Sequence, residues 1–267
     1  MSNYPPQSES LFTASNISIL LVDDNKINQF LGKQILSNIG YTKVKVAGTG
    51  LAALKMLNEH DFDVLLTDVE MPGMTGYELT TAVRQLNSEK NKITIIALTA
   101  NSSMEERKHA LELGMDDYLT KPYSPEDLQA VLQKHIKLKD NFYISEFGTF
   151  VNNKHTPIAS LYAIFNGNKK DVKTLLMLLK QQIPECLDQL KNGILHSDWS
   201  QAFDAAHKLK SNVKLFNIES LFIKASGIAE YARNKSDLQL IPGMYDELHA
   251  ELQGILAIIN QELEEIQ

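Results

Sequence analysis

The sequence predicts two domains of different class, a doubly wound α/β domain with a five-stranded parallel sheet followed by an all-α four-helix bundle. Three observations carry this expectation. Short apolar runs at 17–22, 64–67 and 93–98 alternate with amphipathic stretches, as in parallel strands covered by helices on both faces. Strand patterns stop near residue 120, and from 157 onward only helical periodicity is left. With 267 residues, 43% of them hydrophobic and 22% charged, each half can bury its own core.

Residues 1–16 are polar, contain Pro5 and Pro6 and lack a cationic segment, so they are read as a disordered lead outside the fold. The first strand, 17–22, ends in Asp23-Asp24-Asn25. Asn25 then caps a helix whose Ile27, Phe30, Leu31, Ile35, Leu36 and Ile39 recur at helical spacing until Gly40 stops it. A weaker strand at 44–47 leads into a helix at 49–59. The third strand, 64–67, ends in Asp68 and is broken by Pro72 and Gly73, so a buried strand presents one carboxylate at a sheet edge. A helix at 77–86, a strand at 93–98, a helix at 104–113 closed by Gly114 and a short strand at 118–119 follow. The helix at 124–138 opens with Ser124-Pro125-Glu126-Asp127: a capping hydroxyl, a proline at the first helical position and acids in the first turn.

Ligands of such a sheet belong at the carboxyl ends of its strands. Those ends carry Asp23 and Asp24, Asp68, Thr99, and Lys121 followed by Pro122. Gathered carboxylates repel one another unless a hard cation joins them, and an oxygen-only set suits Mg²⁺, which keeps waters and shares itself with phosphate. Lys121 offers a cation to phosphoryl oxygens and Thr99 a hydroxyl donor, which leaves Asp68 as a nucleophile able to form an aspartyl phosphate. Taken singly, an Asp-Asp pair is a helix cap, a Lys-Pro a strand exit and a strand Tyr a packing residue. Taken together, such roles do not explain why acids, a hydroxyl and an ammonium collect on one edge. The segment Gly48-Thr49-Gly50-Leu51-Ala52-Ala53 also fits a G-x-G-x-x-A dinucleotide fingerprint, with Asp68 and Glu70 roughly 20 residues on. It follows the second strand instead of the first, and leaves Asp23, Asp24, Thr99 and Lys121 unused.

These residues resemble the flavodoxin-like receiver domain of two-component response regulators. The resemblance lies in Val22-Asp23-Asp24-Asn25, in Asp68 with Met71-Pro72-Gly73-Met74 after it, in Leu98-Thr99-Ala100, and in Asp117-Tyr118-Leu119-Thr120-Lys121-Pro122. It covers about 17–138. It implies phosphorylation of Asp68, Mg²⁺ held by Asp23, Asp24, Asp68 and the backbone carbonyl of Glu70, Thr99 and Tyr118 as a switch pair, and Lys121 on the phosphoryl group.

Residues 139–156 break the periodicity with Gly148, Asn152 and Asn153 and are read as a linker to a second domain at 157–267. Helices are expected at 158–165, 169–195, 198–216, 218–234 and 242–265, with an irregularity at Pro184. In the helix from Asp198, the residues Trp199, Phe203, Ala206, Leu209, Val213 and Phe216 form a core stripe. His207 lies off it and shares a face with Lys210, Ser211 and Lys214, so an exposed imidazole would stand beside two ammonium groups. A solvated helix face reads the same way on this spacing alone. The run Ala206-His207-Lys208-Leu209-Lys210-Ser211, then Asn217, resembles the histidine-containing phosphotransfer (HPt) domain. Ser211 and Asn217 stand where that motif has glycines, and Asn tolerates the left-handed conformation that ends a helix. The resemblance implies a phosphoryl group on His207, with Lys210, Ser211 and Lys214 as its neighbours.

A net charge of −7 and a pI near 5.5 give no basic footprint for nucleic acid. One cysteine, Cys186, excludes an internal disulfide, and no apolar run approaches the roughly 20 residues of a membrane span, so a cytoplasmic setting is expected. The two resemblances imply a phosphorelay protein with a sensor histidine kinase and a cognate receiver as partners. No ATP-binding region is visible, so the kinase is expected to be separate or to belong to a longer hybrid chain. The alternative is a phosphorylation-controlled interaction module whose helical bundle binds a partner without being phosphorylated.

Overall fold

The computed structural model describes residues 14–99, 103–121, 123–136, 157–165 and 167–266. The linker expected at 139–156, the lead before Ala14, and the motif residues Ala100 and Pro122 lie outside the described residues. The chain divides into two compact units, one built on a sheet and one helical.

In the first unit the strands β1 (Ser18–Val22), β2 (Lys43–Ala47), β3 (Val64–Asp68), β4 (Thr94–Thr99) and β5 (Asp117–Thr120) pair in parallel in the order β2-β1-β3-β4-β5. The helices α1 (Lys26–Asn38), α2 (Gly50–Glu59), α3 (Gly76–Arg84), α4 (Met104–Glu112) and α5 (Pro125–His135) connect or follow them. This is the five-stranded, doubly wound fold that the alternating pattern predicts. Leu20, Val22, Leu65, Ile95 and Ala97 bury one face of the sheet with Leu57, Leu79 and Val83 from α2 and α3. Their neighbours Ile19, Leu21, Leu66, Ile96 and Leu98 are also buried, because helices cover the other face too. Strand β2 alternates exposed and half-buried positions up to the buried Ala47: it is an edge strand, and Lys43 and Lys45 keep that edge unattractive to another chain.

Helix starts follow the capping chemistry of the sequence. Asn25 Oδ1 accepts from the Ile27 amide at 2.9 Å, and Thr49 caps α2. Thr75 with Glu78, and Ser124 with Asp127, form capping boxes on α3 and α5. The lead is ordered closer to the sheet than expected: Ala14–Asn16 form a 3₁₀ turn, and the Ile17 amide donates to the Ala14 carbonyl.

The second unit contains α6 (Ala159–Ile164), α7 (Lys169–Leu195), α8 (Trp199–Lys214), α9 (Glu219–Asn234) and α10 (Ile241–Glu265). The helices α7, α8, α9 and α10 pack in a closed ring, each against the next and α10 back on α7, which is a four-helix bundle with α6 as a small leading helix. Two expectations are corrected. Helix α7 runs through Pro184 without a break, since long runs of buried residues on both sides of the proline hold the helix to the bundle. The buried stripe of α8 is Ala202, Ala205, Ala206, Leu209 and Val213, while Trp199 and Phe203 are only half-buried. Small residues fit this stripe because the helices approach closely: a Cβ on Gly193 of α7 would stand 2.8 Å from the Ala202 amide nitrogen. No described helix is long and apolar enough to cross a membrane.

Candidate functional site

Strand register assembles the site. Ala47, Val22, Thr67, Ala97 and Tyr118 form one row across the sheet. The residues just past that row, Asp23 after β1 and Asp68 at the end of β3, therefore emerge side by side where the strand order switches from β1 to β3. Thr99 pairs with Thr120, and the Lys121 amide donates to the Thr99 carbonyl at 2.6 Å, which carries Lys121 to the same edge.

There the Lys121 ammonium donates to Asp23 Oδ2 and to Asp68 Oδ2, each at 2.6 Å. Asp23, Asp68 and Lys121 are nearly shielded from solvent, and Asp24 is half-buried. The Glu70 amide donates to Asp68 Oδ1 at 3.2 Å, so both carboxylate oxygens of Asp68 are engaged. Burial pushes the Asp68 carboxyl well above the ordinary carboxylate range; Lys121 opposes the rise, and Asp23 and Asp24 add to it. Burial alone would depress the Lys121 ammonium, but the two carboxylates outweigh it and raise its pKa, so it stays charged. Carboxylate oxygens of Asp23, Asp24 and Asp68 lie within 4.8 Å of one another. A hard, oxygen-seeking cation of the Mg²⁺ class fits that donor set.

At the rim, Thr99 Oγ1 donates to Glu106 Oε2 at 3.5 Å, and the Arg107 guanidinium carbon lies 4.6 Å from the centroid of the Tyr118 ring. The expected switch residues thus each meet a residue of α4. Neither Glu106 nor Arg107 stands out in the sequence, since α4 reads there as a run of solvated charges. The turn of the rival fingerprint serves the fold: Thr49 caps the Ala52 amide, and a Cβ on Gly50 would meet the Met74 side chain at 2.7 Å.

In the second unit, His207, Lys210, Ser211 and Lys214 follow one another at helical spacing on α8. The expectation of an exposed imidazole is corrected. His207 keeps 9% of its surface, and the Phe203 ring lies 5.8 Å from the imidazole. Lys210 and Ser211 are half-buried, and Ser211 Oγ donates back to the His207 carbonyl at 3.4 Å. The Lys214 ammonium sits 5.5 Å over the Phe222 ring; burial, and then the Lys210 charge, lower its pKa. Asn217 is in the left-handed region at φ 54°, the conformation for which Asn substitutes for Gly.

Comparison with known proteins finds the family of the first unit. Residues 19–133 match the profile of the response regulator receiver domain. This segment is a receiver domain. Over 118 residues this chain is 42% identical to sensor protein GacS of Pseudomonas syringae, covering 43% of this chain and 13% of GacS. The virulence sensor protein BvgS of Bordetella bronchiseptica is 27% identical over 249 residues, covering 87% of this chain and 20% of BvgS. That alignment is far longer than the receiver and extends into the helical unit. The chain therefore spans a fifth or less of these relatives. Among solved structures, the receiver domain of sensor histidine kinase PA1611 from Pseudomonas aeruginosa, with a magnesium ion coordinated in its active site cleft, is 35% identical. It has a TM-score of 0.41, with 45% of this chain and 96% of that chain covered.

Proposed function

We propose that this chain is a two-station phosphorelay protein, with a receiver phosphorylated on Asp68 and a helical HPt domain phosphorylated on His207. The observation that carries the receiver chemistry is the bridge from Lys121 to Asp23 and Asp68 beside Asp24. In this reading an Asp68 carboxylate oxygen attacks the phosphorus of a phosphohistidine. An O–P bond forms, the P–N bond breaks, and the released imidazole keeps the electron pair and takes up a proton. Lys121 turns from the carboxylates toward the phosphoryl oxygens, and Thr99 donates its hydroxyl to another of them. Asp23, Asp24, Asp68 and the Glu70 carbonyl would hold Mg²⁺, which when bound would supply positive charge beside the phosphoryl oxygens. Tyr118 partners Thr99 in signalling the change.

The second station uses a ring nitrogen of His207 as nucleophile toward an aspartyl phosphate. There an N–P bond forms, the O–P bond breaks, the carboxylate leaves with its electron pair and the imidazole loses a proton. Lys210 and Lys214 follow His207 at helical spacing toward the charge that the ring acquires, and Ser211 stands between them where the HPt motif has glycine. Support for the pairing of the two domains comes from the BvgS alignment, which runs through both units. A sensor histidine kinase and a further receiver are the partners this reading requires, with the receiver, the linker and the HPt domain at 17–138, 139–156 and 157–267.

A second reading is favoured by the burial of His207: the bundle is a binding module that Asp68 phosphorylation controls. Incubating the full chain with ³²P-labelled acetyl phosphate and Mg²⁺ separates the two. Base-labile label that needs Asp68, together with acid-labile label that needs both Asp68 and His207, supports the relay. Label confined to Asp68 and unchanged in His207→Gln supports the binding module, and no label dependent on Asp68 sinks both.

A further inference from the structure

We propose that Glu106 and Arg107 are positioning residues that set the reactivity of Asp68, by holding Thr99 and Tyr118 in their resting placement. The inference rests on the phosphoacceptor reading above. Two consecutive residues of α4 each engage one expected switch residue: Glu106 accepts the Thr99 hydroxyl, and Arg107 covers the Tyr118 ring. Neighbouring positions on a helix point about 100° apart, so one turn reaches two adjacent strands, the end of β4 at Thr99 and β5 at Tyr118. The Ser103 cap, whose Oγ accepts the Glu106 amide at 3.2 Å, fixes where that turn starts.

Few apolar contacts restrain this helix. Ala110 is the one buried residue of α4, while Met104 and Leu111 are exposed. The contacts of Glu106 and Arg107 therefore supply much of what keeps its first turn against the sheet. Glu106 also places negative charge at the rim, where with Glu70 it adds to the effect of burial in raising the pKa of the Tyr77 phenol. An arriving phosphoryl group carries the same sign.

Phosphorylation makes demands on both contacts. The Thr99 hydroxyl has one proton to donate, and donating it to a phosphoryl oxygen means withdrawing it from Glu106. Tyr118 can move toward Thr99 only by leaving the Arg107 guanidinium, a cation–π contact worth about 0.5–1 kcal/mol at an exposed site. The pair thus acts as a brake with two grips, one on each switch residue. Removing either grip should ease the active arrangement and speed acceptance of the phosphoryl group, which a merely structural role would not do.

The test is the initial rate at which the full chain takes label from ³²P-acetyl phosphate with Mg²⁺, counting only label absent from Asp68→Asn. Calorimetric titration with beryllofluoride, a phosphoryl mimic, provides a readout that needs no turnover. Glu106→Ala and Arg107→Ala should label about two- to fivefold faster and bind beryllofluoride more tightly by a similar factor, the scale of one partly exposed charged contact. Glu106→Gln, whose amide oxygen still accepts from Thr99, and Arg107→Lys, which keeps a cation beside the Tyr118 ring, should stay close to wild type. Wild-type labelling with rates unchanged or lowered in Glu106→Ala and Arg107→Ala overturns the brake while leaving Asp68 as acceptor. A wild type that takes no label at Asp68 overturns the underlying reading of the site.

Discussion

The Lys121 ammonium stands 2.6 Å from an oxygen of Asp23 and 2.6 Å from an oxygen of Asp68, bridging carboxylates 98 and 53 residues away along the chain. One cation thus holds together two acids that are almost wholly shielded from water. Breaking a buried pair by removing one partner costs more than the pair contributes, because an uncompensated charge is left behind. Lys121→Ala should therefore lower stability by about 3 kcal/mol in divalent-free buffer. Urea unfolding of the full chain measures this. A loss below about 0.5 kcal/mol would show that the bridge is not holding the site together.

Magnesium should substitute for part of that compensation. At a concentration about ten times its dissociation constant, an ion that binds only the folded state adds about 1.4 kcal/mol of stability. Thermal melts with MgCl₂ should show this gain in the wild type and lose it in Asp24→Asn, whose half-buried carboxylate lies next to the other two. Equal gains in both proteins would remove Asp24 from the metal site.

Gly76 should tolerate no side chain. A Cβ there would lie 2.2 Å from the backbone carbonyl oxygen of Asp68, and the Gly76 amide already donates to the Val69 carbonyl at 2.9 Å. Rigid backbone on both sides leaves no cheap relaxation, so Gly76→Ala should cost about 3 kcal/mol and displace Asp68. The measurement is denaturant unfolding combined with Mg²⁺ affinity; a variant as stable as wild type, with unchanged affinity, would refute the close approach.

The pH profile should carry a signature of Asp117. Burial tends to raise its pKa, but hydrogen bonds from Lys134, His135 and the Tyr118 amide more than offset this and hold it below the ordinary value. The folded state thus binds its proton less readily than the unfolded chain does. Its stabilisation is present above the unfolded value near pH 4 and is lost as pH falls through the lower folded value. Asp117→Asn should reduce stability at pH 7 by about 1 kcal/mol, the scale of a partly exposed charge-assisted bond, and should flatten the loss of stability below pH 4. Parallel acid-unfolding curves for the two proteins would count against this.

In the bundle, Lys235 ends α9 at φ 52°, a left-handed conformation that disfavours side chains. Lys235→Gly should stabilise the protein by about 0.5–1 kcal/mol by removing that strain. Thermal denaturation checks this, and a lower melting temperature would mean that the lysine side chain contributes more than its backbone costs.

Much of the fold was legible because its determinants are local. Apolar runs marked the strands, and Asn25 and Ser124 marked helix starts where their side chains do cap. The expected site was partly legible for the same reason: Asp23, Asp68, Thr99 and Lys121 all follow or end strands, and parallel register brings strand ends to one edge. The exposure expected of His207 was wrong, because spacing along α8 gives a residue's direction but not what covers it. The contacts of Glu106 and Arg107 were invisible, since charged residues on a short helix read alike until one of them faces a neighbouring strand.

The sequence by itself determined where strands and helices begin and end, and which residues occupy the carboxyl ends of the strands, since periodicity, capping and turn chemistry act within a few residues. The tertiary structure alone decided which of those ends stand side by side, that one ammonium spans two carboxylates, that α7 passes through Pro184, and that His207 is buried. These outcomes depend on contacts between segments far apart in the chain, where packing and the cost of unpaired buried charge outweigh local preference.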